Sequence, residues 1–167
     1  VLSASDDKRQ PTVIDIIPGK LRRNGLFPVG RLDKDSEGLL LMTNDGAIVN
    51  GIMRARNRHE KEYQVEVNKE ITPEFLKKMA SGVPILDTVT RPCRIRKTGE
   101  RSFTIILTQG LNRQIRRMCE ALGYRVTKLK RVRIMNIHLK DLKTGEYRPL
   151  TEKELAELKK QIGEEKR

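Results

Sequence analysis

A short polar turn carries the first side chains whose type and spacing could do chemistry. The segment Gly30–Asp33 (Gly-Arg-Leu-Asp) lies between two apolar stretches that read as buried strands, Phe27–Val29 and Gly38–Thr43. Loop-borne polar groups on a rigid scaffold are common functional sites, so Asp33 is a candidate catalytic carboxylate beside Arg31. The alternative is an ordinary turn aspartate, since Asp is favoured in turns for its local hydrogen bonds.

A helix predicted over Arg113–Leu122 carries the second group. Its apolar residues follow the i, i+3, i+4, i+7 spacing of a buried helix face; they are Ile115, Met118, Cys119 and Leu122. Arg113, Arg116 and Arg117 cluster near its N-terminus, where cations oppose the helix dipole. This placement indicates a carboxylate or phosphate partner, with plain surface arginines as the alternative.

Tyr63 is the third candidate. It alternates with polar residues in phase with Val65 and Val67, which predicts a half-buried strand. Its ring could pack in the core with its hydroxyl bonded, or it could stack against an unstacked nucleobase.

Several other chemistries find little support in the residues. The two histidines, His59 and His138, lack ligand-spaced partners, so no metal site is expected. The two cysteines form no disulfide framework, and Cys119 is expected in the core. Asp33 and Asp35 could form a hydrolase carboxylate pair, although loop carboxylates this close in sequence are common.

The charge of the chain favours a polyanionic partner. The 167 residues carry 35 Lys and Arg against 22 Asp and Glu, a net charge of +13. Eight bases and one acid lie between Arg113 and Arg133, a concentration typical of nucleic-acid binding. The longest Leu/Met run, Leu39–Met42, is far shorter than the ~20 residues of a membrane helix. We therefore expect no membrane segment. Because the two cysteines form no disulfide framework, we expect a reduced, cytoplasmic location.

The predicted elements are mainly short strands joined by turns, with a few helices. Thr72 and Pro73 predict the start of a helix that ends at Gly82, and Thr151 with Glu154 forms a capping box for a last helix. Tyr147–Leu150 is predicted as a strand after a hairpin turn. These elements predict an α+β fold with a mixed, largely antiparallel sheet flanked by helices.

Three motifs in this order resemble the RsuA-type ribosomal RNA pseudouridine synthases. They are Gly30–Asp33 followed by Ser36–Leu41, then Glu60–Tyr63, then Asn112–Met118. The wider stretches 27–46, 59–67 and 109–136 most resemble the RluF branch, the synthases of large-subunit ribosomal RNA. The resemblance extends to about Leu150 and implies the catalytic fold of this family, with two packed lobes over residues 1–167 and an RNA-binding cleft.

The resemblance also implies roles for individual residues. Asp33 corresponds to the catalytic aspartate, Tyr63 to the active-site tyrosine and Arg116 to the arginine that pairs with the aspartate. Leu129 resembles the apolar residue of the pocket floor. The remaining residues expected to contact RNA are Arg31, Lys61, Asn112, Arg113, Arg117, Lys130 and Arg131.

The implied substrate is a uridine in a 23S ribosomal RNA hairpin, with tRNA as a second candidate substrate. The reaction is an isomerisation, so neither a cofactor nor a metal is expected, and a monomer is the default. The family usually carries an S4-type RNA-binding domain ahead of the catalytic domain, and we expect this chain to correspond to the catalytic domain without it. Two alternatives stay open: a non-catalytic RNA-binding module, and a hydrolase that uses Asp33 and Asp35.

Overall fold

The computed structural model describes residues 25–54 and 58–164. The predicted apolar element Thr12–Ile17 lies outside these residues. The described elements, in chain order, are β1 (Phe27–Val29), β2 (Glu37–Gly38), β3 (Leu41–Thr43), α1 (Gly46–Arg54), β4 (Lys61–Val67), α2 (Pro73–Ser81), β5 (Pro84–Ile85), β6 (Thr88–Val89), β7 (Arg94–Gly99), β8 (Ser102–Leu107), α3 (Gln114–Ala121), β9 (Val126–Ile134), β10 (Ile137–His138) and α4 (Glu152–Glu164).

The chain divides into two compact units. The described part of the first unit comprises residues 25–54 and 136–164, and that of the second comprises residues 58–135. No helix in these described ranges is both long and apolar enough to cross a membrane.

An antiparallel sheet forms the centre of the second unit, with its strands in the order β9-β4-β8-β7. Val65 and Val67 of β4 are buried, whereas Gln64 and Glu66 between them are exposed. One face of the sheet is therefore apolar and the other polar, as the alternation predicted. The α+β class is confirmed.

The core of the second unit is formed by the apolar face of the sheet together with residues of α2 and α3. Thr72 caps α2, because its Oγ1 accepts a hydrogen bond from the Phe75 N–H at 3.1 Å, and Pro73 occupies the first turn, as predicted. Cys119 of α3 is fully buried, as expected. The core residues are Val65, Val67, Ile71, Phe75, Met79, Val83, Ile85, Phe103, Ile105, Leu107, Ile115, Met118, Cys119, Val126 and Leu129.

In the first unit, β1 and β3 pair antiparallel, with Phe27 opposite Thr43. The capping box of α4 is confirmed: Glu154 N–H donates to Thr151 Oγ1 at 3.1 Å, and Thr151 N–H donates to Glu154 Oε1 at 2.9 Å. Leu158 on this helix is buried, as its position in the apolar pattern predicted.

Two strand predictions in the first unit are wrong. Gly38–Thr43 is not one strand, because Gly38 has a φ of 120°, a conformation that favours glycine and turns the chain after β2. Tyr147–Leu150 is not a strand. There Arg148 instead directs its guanidinium to the Glu154 carboxylate, 2.8 Å away.

Candidate active site

The turn that carries Asp33 has the geometry that the sequence suggested. Gly30 leaves β1 with a φ of 82°, which glycine adopts without a steric cost. The Ser36 N–H then donates to the Asp33 carbonyl at 2.9 Å, closing a turn in which Asp33 is the first residue. Asp33 is half-buried, whereas Arg31 and Asp35 are exposed. The two carboxylates of this turn thus occupy different environments, and Asp33 has the less hydrated one.

Tyr63 lies directly opposite Arg131 in the pairing of β4 with β9. A register shift between Glu62 and Tyr63 sets this alignment. Tyr63 is half-buried and packs against the core, and Arg131 is 7 % exposed. Residues that face each other across antiparallel strands project to the same side of a sheet. The sheet therefore brings together two predicted site residues, the aromatic ring and a guanidinium.

The two residues before Arg131 project to opposite faces of the sheet. Leu129 lies opposite Val65 and belongs to the core. Lys130 lies opposite Gln64, which is on the exposed, polar face. Lys130 is thus on the face away from Tyr63, so any contact it makes with RNA would be separate from a base held by Tyr63.

The start of α3 places its arginines in three different environments. Arg116 is 8 % exposed and therefore buried. Arg117 donates through Nε to the Asn112 carbonyl at 3.0 Å and through a terminal nitrogen to Asn112 Oδ1 at 2.9 Å. Arg113 is the N-cap residue, with a left-handed φ of 47°. Arg117 and Asn112 thus bind each other, and Arg116 is the buried arginine of this helix turn.

Lys61 lies beside the loop that leads into α3. Its Nζ is 3.5 Å from the position that a Cβ would occupy at Gly110. Lys61 is the first residue of β4, two positions before Tyr63. The second unit therefore brings the Lys61 ammonium group to the segment that contains Asn112 and Arg113.

An ion-pair network anchors the start of β4, and sequence reasoning missed it. Arg133 contacts Glu62 at 3.1 Å and Glu60 at 3.2 Å, and Arg94 also pairs with Glu60. Burial raises the pKa of Glu60, but hydrogen bonds from Arg133 and Arg94 outweigh it, so this pKa lies below its usual value. Arg133, one of the eight bases of the Arg113–Arg133 segment, therefore has a structural partner.

Two glutamines near α3 were also missed by sequence reasoning. Gln114 is 5 % exposed, and its Nε2 donates to Gln109 Oε1 at 3.3 Å. A polar residue that shares a helix face with Met118, four positions later, is the signal that could have identified Gln114.

Thiol and metal chemistry receive no support from the described residues. Burial raises the pKa of Cys93 to about 11 and that of Cys119 to about 12, so both thiols are protonated at neutral pH. Within residues 25–54 and 58–164, no group of three or more potential ligands could hold a metal ion.

The predicted site residues are divided between the two units. Asp33 and Arg31 belong to the first unit, whereas Tyr63, Arg131 and Arg116 belong to the second. The pairing of Arg116 with Asp33 is a prediction from the resemblance.

Comparisons with known proteins cover the segments that carry these groups. A family model described as RNA pseudouridylate synthase matches residues 1–121, which include Asp33, Tyr63 and Arg116. The dual-specificity RNA pseudouridine synthase RluF of Salmonella typhi is 52 % identical over 162 residues, which cover 97 % of this chain and 55 % of that protein. The chain thus spans about half the length of this curated relative.

Two further similarities agree with this match. The ribosomal large subunit pseudouridine synthase B of Bacillus subtilis is 34 % identical over 165 residues, covering 95 % of this chain and 67 % of that protein. A crystal structure of a pseudouridylate synthase superposes with a TM-score of 0.86 at 30 % identity, covering 94 % of this chain and 68 % of that one. Both the sequence match and the shared fold therefore show that this chain belongs to the RNA pseudouridylate synthase family.

Proposed function

We propose that this chain carries the catalytic centre of a synthase that converts a specific uridine of 23S ribosomal RNA to pseudouridine. The observation that carries the proposal is the identity of 52 % with the dual-specificity synthase RluF over 97 % of the chain. Because that relative is named dual-specificity, tRNA is the second substrate that we propose. The protein is proposed to act as a monomer in the cytoplasm.

The reaction exchanges one glycosidic bond for another. The N1–C1′ bond of uridine breaks, the base turns, and a C5–C1′ bond forms. The proton at C5 leaves to solvent, and N1 takes up a proton, so no electrons are transferred and no cofactor is included in the proposal.

Asp33 is the proposed catalytic carboxylate. An ionised carboxylate can act as a nucleophile or as a base. Asp33 could act by three routes: attack on C1′, addition to the base, or removal of the C2′ proton, which would form a glycal intermediate. The half-buried position of Asp33 supports this choice over the exposed Asp35, because a partly dehydrated carboxylate is a stronger nucleophile and its interactions are stronger.

Tyr63 is proposed to hold the uracil ring after it leaves the RNA stack. Extruding a base costs a few kcal/mol, and stacking on an aromatic side chain recovers part of this cost. The position of Tyr63 opposite Arg131 supports the proposal, since the ring and the guanidinium lie on the same side of the sheet. Arg116, buried at the start of α3, is the proposed partner of the Asp33 carboxylate.

The proposed RNA contacts outside the base pocket are phosphate contacts. Arg31 is exposed, two positions before Asp33, and Lys61 lies beside the loop before α3. Arg113 and Lys130 are half-buried and are proposed to bind backbone phosphates. Asn112 and Arg117 are proposed to contact RNA as a pair, because each already holds the other.

Release of tritium from RNA labelled at C5 of uridine tests the proposal, because forming the C5–C1′ bond expels that proton. The substrates are a 23S ribosomal RNA hairpin and, separately, a tRNA. The variants are Asp33→Asn, which keeps the side-chain shape but removes the charge, and the matched control Asp35→Asn two positions along the same turn. We expect release by the parent and by Asp35→Asn, and none by Asp33→Asn.

RNA affinity measured on the same three proteins separates catalysis from binding. Retained affinity of Asp33→Asn, with lost turnover, supports a catalytic carboxylate. Binding without any release by the parent would identify a non-catalytic RNA-binding module instead. A dead Asp35→Asn beside an active Asp33→Asn would show that the catalytic residue is wrongly assigned.

A further inference from the structure

The first turn of α3 lacks the usual features that stabilise a helix start. Its N-cap residue, Arg113, has a left-handed φ of 47° and makes no side-chain capping bond. The first turn contains no acidic residue, and Arg116 and Arg117 place cations where the helix dipole disfavours them. Other interactions must therefore hold this turn and the buried Arg116 that it carries.

Gln114 supplies the first of these interactions. Its backbone N–H donates to the Leu111 carbonyl at 3.2 Å, and its Oε1 accepts from the Leu111 N–H at 3.1 Å. These two bonds close the segment from Leu111 to Gln114 into a fixed turn. The other end of the amide, Nε2, donates to Gln109 Oε1 at 3.3 Å and lies 3.7 Å from Met118 Sδ. Both ends of this buried amide thus have partners, which fixes its orientation.

Gln109 extends the connection to another part of the second unit. Its Oε1 accepts a second hydrogen bond, from the Arg91 N–H at 3.1 Å. One carbonyl oxygen therefore joins the segment that follows β6 to the first turn of α3. Because that oxygen accepts from both sides, the Gln109 amide cannot turn over without losing both bonds.

We propose that Gln109 and Gln114 are positioning residues that set the direction of the Arg116 guanidinium through this amide pair. The inference rests on the proposed function, since it takes Arg116 to be the partner of the catalytic carboxylate. Arg116 follows Gln114 by two positions on the same helix turn, so a rotation of the turn would move the guanidinium directly. Displacements of about 1 Å in a catalytic group can lower turnover by about 10²-fold.

The test compares substitutions that remove or keep the acceptor oxygen at position 109. Gln109→Leu removes it and leaves the Arg91 N–H and Gln114 Nε2 without their acceptor. Gln109→Glu keeps an oxygen that can accept both bonds. We expect kcat for tritium release to fall about tenfold in Gln109→Leu, which corresponds to about 1.4 kcal/mol of activation free energy, with KM within twofold of the parent. Gln109→Glu should restore most of kcat.

A control and a double substitution separate positioning from a general loss of stability. Gln161→Leu removes another Gln side chain, on α4, where its Nε2 donates to Glu157 Oε1; its kcat should equal that of the parent. In an Arg116→Lys background, the further change Gln109→Leu should lower kcat less than twofold, because the residue that it positions is already altered.

Each outcome decides the inference. An active parent with an unchanged kcat in Gln109→Leu would overturn the positioning role and leave the proposed function intact. Equal tenfold losses in the parent and Arg116→Lys backgrounds would overturn the connection to Arg116. A parent that releases no tritium would overturn the proposed function, and this inference with it.

Discussion

Replacing Glu154 by glutamine should destabilise the protein by an amount that depends on pH. Glu154 accepts from both terminal nitrogens of Arg148, at 2.8 and 2.9 Å, and caps α4 through the Thr151 N–H. Glutamine keeps an oxygen for the cap, since Gln also serves at the third position of a capping box. The substitution therefore removes mainly the negative charge.

The magnitude follows from the shift in the Glu154 pKa. Hydrogen bonds from Arg148 and from the Thr151 backbone lower this pKa from 4.5 to about 2. A shift of this size corresponds to roughly 3 kcal/mol of unfolding free energy. The Arg148 side chain is 30 % exposed and that of Glu154 is 14 % exposed, so solvent screening reduces the expected difference to about 2 kcal/mol.

The sign of the pH dependence is determined by the direction of that shift. Because the folded-state pKa is the lower one, the stabilisation is fully present above the unfolded-state value of 4.5. It is lost as the pH falls towards 2, where the carboxyl becomes protonated in both states. The stability difference between the parent and Glu154→Gln should therefore close between about pH 5 and pH 2.

Urea denaturation of both proteins at a series of pH values measures this difference. The matched control is Glu157→Gln, three positions further along the same helix, where the carboxylate accepts from the Gln161 amide at 3.3 Å. The control should differ from the parent by less than about 0.5 kcal/mol, as exposed substitutions usually do. A Glu154→Gln difference that stays constant from pH 7 to pH 3, or one no larger than the control, would refute the reasoning.

Three further predictions concern RNA and the core. Arg116→Ala should lower kcat at least tenfold more than Arg117→Ala, because the buried Arg116 is the proposed partner of the catalytic carboxylate, whereas Arg117 binds Asn112. Tritium release measures kcat for both variants. RNA affinity should fall with salt with a log–log slope of about −3, if four bases of the Arg113–Arg133 segment each neutralise a phosphate; the bases of this segment that are not buried are Arg113, Arg117, Arg125, Lys128, Lys130 and Arg133. Leu129→Ala should lower the unfolding free energy by about 2–4 kcal/mol in urea, since Leu129 packs opposite Val65 in the core.

Each of these predictions has a contrary result. Equal losses of turnover and RNA affinity in Arg116→Ala and Arg117→Ala would make both arginines general phosphate contacts, with Arg116→Lys as the check if the alanine variant does not fold. An affinity that is constant between low and high salt would exclude phosphate binding by the basic segment. A Leu129→Ala protein as stable as the parent would show that the Leu129 side chain is not part of the packed core.

Local signals in the sequence predicted much of the secondary structure. Thr72 and Pro73 mark the start of α2, and the capping box of Thr151 and Glu154 marks that of α4, because capping bonds join residues only three positions apart. The alternation of polar and apolar residues in β4 identified its buried face, because side-chain direction along a strand repeats every two residues and is therefore also a local property. The motifs around Asp33, Tyr63 and Arg116 indicated the family, which the comparisons confirm.

Features that depend on residues distant in sequence were decided by the tertiary structure. Tyr147–Leu150 follows a predicted hairpin turn, but a strand needs a partner strand and this segment forms none with the described residues; Arg148 within it pairs with Glu154 instead. The pairing of Tyr63 with Arg131 depends on a register shift between β4 and β9, which no local pattern encodes. A count of charges also does not distinguish between the arginines of the Arg113–Arg133 segment. In the folded protein their environments differ: Arg133 pairs with Glu60 and Glu62 at the start of β4, whereas Arg116 is buried on α3.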